Sequence, residues 1–132
     1  MRWIIAYWKS LSVLLAILVL SFMNPPSVPA VRELFSFDKV GHLMMYAGLT
    51  LMVLIETSGL KMVKNRRSYF WVLGGVFPVL TGALTELLQT LLFAPRAAEW
   101  GDFFSDVAGV LMGWLLFFAW QCILDLRRDA GR

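Results

Sequence analysis

With 59% of its 132 residues hydrophobic, 16% charged and a mean hydropathy of +0.70, the chain is too apolar for an ordinary soluble domain, which carries about 25% charged residues. The net charge of +3 is small, and no basic patch interleaved with aromatics marks a nucleic-acid surface. A single cysteine (Cys122) excludes an intramolecular disulfide, a single histidine excludes a His-rich metal motif, and no glycine-rich phosphate loop is present.

The composition predicts one polytopic membrane domain over residues 1–132. Residues 3–22 form the first apolar stretch, with Lys9 its only internal charge. About 20 residues are needed to span a bilayer, and this stretch reaches that length if Lys9 snorkels. A cleaved signal peptide is the alternative, with Arg2 and Lys9 ahead of an apolar core and Val28, Pro29 and Ala30 as cleavage site. Residues 23–37 contain Pro25, Pro26 and Pro29 and read as a loop. The second span covers 38–57. Lys61, Lys64, Arg66 and Arg67 mark the next loop. The third span, 69–93, carries Pro78, where a kink is expected, and three glycines that permit close helix contact. After a short loop with Arg96, the fourth span covers 102–124, and a polar tail follows. The expected fold is therefore an all-α integral membrane four-helix bundle.

Lys and Arg distribution sets the orientation. With the N-terminus inside, nine basic residues are cytoplasmic (Arg2, Lys9, Lys61, Lys64, Arg66, Arg67, Arg127, Arg128, Arg132). Three are external (Arg32, Lys39, Arg96). Both termini are thus expected to be cytoplasmic, in a multi-pass membrane protein.

Polar residues converge on the external half of three spans. Asp38, His42 and Tyr46 recur every four residues and form one helical stripe. Glu86 and Gln89 share a face of the third span, and Gly82 and Gly75 continue that stripe inward. Asp102 and Asp106 share a face that runs on through Gly109 and Gly113, a small-xxx-small pattern able to pack helices within one chain or between two. Glu86 is the most informative member. An ionised carboxylate in mid-span costs about 2.5–3.5 kcal/mol on insertion scales, so it is expected to face protein or water and to have partners. His42, Arg96 and Lys39 are the nearest candidates, and a Glu86–His42 hydrogen bond would make a proton-transfer pair.

Bland roles stand beside these. Asp38 and Asp102 sit where helix N-caps belong, Lys39 suits a headgroup anchor, and Tyr46 suits a packed ring with one hydrogen bond. Thr81, Thr85 and Ser105 need no special account in a membrane helix. Glu56 is expected to meet the basic loop. Asp38, His42, Glu86, Asp102 and Asp106 together offer oxygen and nitrogen donors for a divalent cation, but the spacing matches no strong metal motif, and neither metal nor cofactor is assigned.

The series Asp38-Lys39-x-x-His42, Glu86-x-x-Gln89, Arg96 and Asp102-x-x-x-Asp106-x-x-Gly109 resembles the VanZ-like family, small polytopic membrane proteins with the pattern D-K-x-x-H, E-x-x-Q, R, D-x-x-x-N-x-x-G. The resemblance covers residues 38–113, and Asp106 departs from it where the family commonly has asparagine. It implies a role in envelope or lipid chemistry, since the founding member is associated with low-level resistance to teicoplanin, a lipid-tailed glycopeptide. Two readings follow. In the first, the polar cluster binds a lipid headgroup or amphiphile, with Arg96 or Lys39 pairing phosphate or carboxylate. In the second, an intramembrane enzyme uses Glu86 and His42 as acid–base pair and Arg96 to stabilise developing charge. A proton-coupled transporter is a weaker third, because the polar residues do not continue through the inner half.

Overall fold

The computed structural model describes residues 5–22, 38–60, 67–92 and 100–131, with the side chains of Asp38 and Arg67 outside the described set. Helix α1 is Trp8–Phe22 and α2 is Asp38–Gly59. Helix α3 is continuous over 67–92 but has three segments: α-helical Arg67–Trp71, a π-helical turn Val72–Val76, and α-helical Phe77–Leu92. Helix α4 is Trp100–Ala130. Apart from Tyr7, Leu60 and Gly131, the described residues are helical, as the composition predicts.

Helices α2, α3 and α4 are long and apolar enough to cross a membrane. Helix α1 is shorter than the expected span 3–22. It has 15 residues, about 22 Å at 1.5 Å each, against a hydrocarbon core of about 30 Å. Residues 5 and 6 are helical, but Tyr7 is a turn. The start of α1 is held from outside: Glu56 on α2 accepts the backbone N–H of Lys9 at 3.1 Å, that of Ser10 at 3.2 Å, and the Ser10 hydroxyl. A carboxylate there supplies acceptors for N–H groups that lack partners within the helix and complements its dipole. Among the described residues Glu56 therefore meets α1. The expected basic partners Lys61, Lys64 and Arg66 lie outside the described residues. Helix α4, by contrast, runs past the expected end at residue 124, so most of the polar tail is helical.

Helix α2 is central. It packs against α1, α3 and α4 and buries His42, Tyr46, Ala47, Leu49, Thr50, Val53, Leu54 and Thr57 along its length. Ile17, Tyr46, Leu49, Val53 and Val110 form the apolar core. Helix α4 lies close along α2 because Gly109 has no side chain; a Cβ there would strike the Leu43 carbonyl, and one at Gly113 would fall 2.7 Å from Thr50 Cβ. The small-xxx-small stripe of α4 thus packs helices within the chain.

The bundle has inverted polarity. Buried positions include His42, Thr50, Thr85, Glu86, Gln89, Asp102 and Asp106, whereas Leu80, Leu84, Leu87 and Leu91 of α3 and Phe104, Leu111, Leu115 and Phe118 of α4 face outward. Such continuous apolar faces suit hydrocarbon and are rare on water-soluble monomers.

Pro78 acts where a kink is expected, and in a specific way. Proline lacks an N–H and crowds the carbonyl of residue i−4, here Gly74. The turn before it widens to π geometry, and the Gly74 carbonyl accepts the indole N–H of Trp114 on α4 at 3.0 Å. The wider turn also changes which glycine faces inward. Gly74 is buried against Leu54 and Trp114, while a Cβ on Gly75 would meet nothing within 4 Å. The inward stripe through Gly75 is corrected to Gly82, Pro78 and Gly74.

Candidate functional site

Three helices bring one ionisable residue each to a common point. Position 42 faces inward on the α2 stripe with Tyr46, Leu49 and Val53. Glu86 lies on the buried stripe Pro78, Gly82, Thr85, Glu86 and Gln89 of α3, and Asp106 on the stripe Asp102, Asp106, Gly109 and Gly113 of α4. The relative exposures of His42, Glu86 and Asp106 are 3%, 7% and 0%.

His42 Nδ1 lies 2.8 Å from Asp106 Oδ1 and 4.0 Å from Glu86 Oε1. The expected pairing of His42 with Glu86 is therefore within ion-pair reach, but the hydrogen-bond distance belongs to Asp106. With Asp106 ionised, Nδ1–H donates to it, which fixes the ring and directs Nε2 away from that carboxylate. Asp106 reaches this position because α3 has glycine opposite it; a Cβ on Gly82 would lie 2.6 Å from Asp106 Oδ2. Of the two carboxylates, Asp106 is thus the nearer to the histidine.

Tyr46 and Thr85 adjoin the cluster. Tyr46 Oη is 3.0 Å from Thr85 Oγ1, and that hydroxyl donates to the Gly82 carbonyl at 2.8 Å. A hydroxyl has one proton, so Tyr46 donates to Thr85. Tyr46 is fully buried and bridges α2 to α3, the packed-ring role expected for it. Thr85, expected to need no special account in a membrane helix, carries that bridge. Gln89 is engaged elsewhere: its amide donates to the Ser21 carbonyl at 2.7 Å and ties the end of α1 to α3.

The remaining predicted residues surround this point unevenly. Asp102 is buried in the first turn of α4, two residues inside the helix start at Trp100, so it complements the dipole and is not the cap. Lys39 is exposed, and its side chain crosses Gly101, Nζ lying 2.9 Å from where a Cβ there would be. Asp38 is the first residue of α2; its side chain, and Arg96 as a whole, lie outside the described residues.

Towards the other end of α2, buried hydroxyls do occur. Thr50 and Thr57 are almost fully buried, and Thr57 Oγ1 is 3.2 Å from Tyr7 Oη. The expectation that polar residues stop in the inner half is corrected to this extent. Val53 and Leu54, also buried, separate Thr50 from Thr57, which still counts against a proton path along α2.

Chemically, the arrangement offers a buried imidazole between two carboxylates, able to hold a proton, orient a polar group or ligate a cation. Of the candidate nucleophiles, Ser105 donates to the Gly101 carbonyl, and Cys122 is exposed near the far end of α4. No family model, curated protein or solved structure matches the chain.

Proposed function

We propose that the chain is a VanZ-like multi-pass protein of the bacterial inner membrane that binds the polar head of an envelope lipid or lipid-tailed amphiphile, and thereby affects susceptibility to glycopeptides of the teicoplanin type. Both termini are cytoplasmic in this reading, which puts the His42–Glu86–Asp106 cluster in the outer half of the bilayer. The observation that carries it is that cluster: three apolar helices each bury an ionisable group at one depth, where such groups are costly. Lys39 stands at the same end of α2, and in this reading it or Arg96, which follows α3 in the sequence, pairs a phosphate or carboxylate. The ordered series from Asp38 to Gly109 supports the VanZ-like assignment.

An intramembrane enzyme is the second reading, favoured by the 2.8 Å contact between His42 and Asp106. An imidazole oriented by a carboxylate through one nitrogen can exchange a proton through the other. The base would then be His42 supported by Asp106, with Glu86 the second acid.

Glu86→Gln keeps size and hydrogen bonding while removing the charge. In cells lacking the native protein, the variant should insert at normal levels yet lose the protection or sensitivity that wild type confers towards teicoplanin. Lipid and cell-wall precursor profiles separate the two readings: binding leaves them unchanged with or without the protein, whereas catalysis shifts a substrate–product pair. A fully active Glu86→Gln protein would remove the carboxylate from either account.

A further inference from the structure

We propose that His42, Glu86 and Asp106 form a binding site for one divalent cation of the zinc or manganese class. One donor atom from each residue lies within 4.8 Å of the other two. Each residue comes from a different helix, so the convergence reflects tertiary packing and not the spacing of neighbours on one turn. At metal–ligand distances of about 2.1 Å, any two ligands of a tetrahedral shell stand about 3.4 Å apart. The observed 2.8 Å and 4.0 Å separations from His42 Nδ1 lie on either side of that value, so a shift of about 0.6 Å in each gives the spacing of a tetrahedral shell.

The donor set selects the class of ion. One imidazole nitrogen with two carboxylate oxygens suits zinc or manganese; magnesium and calcium prefer all-oxygen shells, and copper(I) prefers thiolate or thioether. The charges also match. Neutral His42 with ionised Glu86 and Asp106 contributes −2, which a divalent ion cancels, and cancellation matters most at buried positions. The bare backbone at Gly82 gives the Asp106 carboxylate room between α3 and α4, and Tyr46 hydrogen-bonds Thr85, the residue preceding Glu86. Three protein ligands leave a coordination position for a water or for an oxygen of a bound head group. The assignment stands apart from the head-group reading, because ion binding is measured with the metal alone.

The test uses the full chain without a polyhistidine tag, in detergent micelles, with Cys122→Ser as background because that exposed thiol is an independent soft ligand. After treatment with chelator, zinc chloride is titrated calorimetrically, and manganese binding is followed by electron paramagnetic resonance. One ion per chain is expected, with a thermal midpoint that rises on adding zinc. Asp106→Asn and Glu86→Gln should each weaken zinc binding at least tenfold and abolish the rise. Unchanged affinity in the folded variants, or no binding by folded wild type, overturns the site. If Asp106→Asn does not fold, Glu86→Gln decides alone.

Discussion

Asp106 touches His42 because of what is missing at position 82. Replacing Gly82 by alanine brings two opposed effects. Alanine is a better helix former than glycine by about 1 kcal/mol, but its Cβ would stand 2.6 Å from Asp106 Oδ2 and 3.1 Å from Asp106 Cβ. The second distance decides the sign, because rotating the carboxylate cannot relieve crowding at Cβ. Overpacking of this kind costs about 1–3 kcal/mol. Gly82→Ala should therefore lower the thermal midpoint in detergent, whereas Gly75→Ala, with open space around it, should leave it unchanged or raise it. Equal midpoints would show that α3 and α4 are not held as close as the Gly82–Asp106 contact requires. At this scale the sequence was informative about membership but pointed to Glu86 where the hydrogen-bond distance belongs to Asp106. His42, Glu86 and Asp106 each stood out on a helical face, yet which acid meets the histidine depends on ångström-scale helix spacing. Gly82 and Gly109 set that spacing, and periodicity shows a face without showing its distance to the next helix.

Element behaviour was legible where one residue dictates it and illegible where two helices negotiate it. A disturbance at Pro78 follows from the missing N–H, but its form, a π turn that exchanges Gly75 for Gly74, depends on Trp114 of α4 accepting the role of hydrogen-bond donor. The same holds for α1, whose start is fixed by Glu56 of another helix. The Pro78–Trp114 relation can be measured by a double-mutant cycle. In wild type, Trp114→Phe leaves the buried Gly74 carbonyl without its indole partner, at a cost of about 1–3 kcal/mol. In a Pro78→Ala background, the backbone N–H at position 78 is available to that carbonyl, so the same Trp114→Phe change should cost at least about 1 kcal/mol less. Additive losses would mean that Trp114 contributes through its ring packing on Trp71, 5.0 Å between centroids, and not through Gly74.

The whole chain is organised as polar inside and apolar outside, and this the composition anticipated, because no arrangement of so few charged residues could cover a water-facing surface. Helix boundaries differ from the apolar stretches: α1 is shorter than its own, and α4 outlasts its own because nothing in the tail up to Ala130 breaks a helix. At 31 residues, α4 is about 46 Å long and exceeds a hydrocarbon core of about 30 Å, so in a membrane one end must project. If the basic residues set the orientation, that end is the cytoplasmic one bearing Arg127 and Arg128. Alkaline phosphatase inserted between residues 23 and 37 should then be active, and a fluorescent protein after residue 132 should fluoresce in the cytoplasm. The loop charges supply a sharper test. Changing Lys61, Lys64, Arg66 and Arg67 to glutamine reduces the cytoplasmic count from nine to five while the external count stays at three. The bias that directs insertion is then much weaker, and a mixture of orientations should appear, with both reporters partly active. A variant that still inserts in one orientation would show that packing among α2, α3 and α4, and not the loop charge, fixes which side His42, Glu86 and Asp106 face.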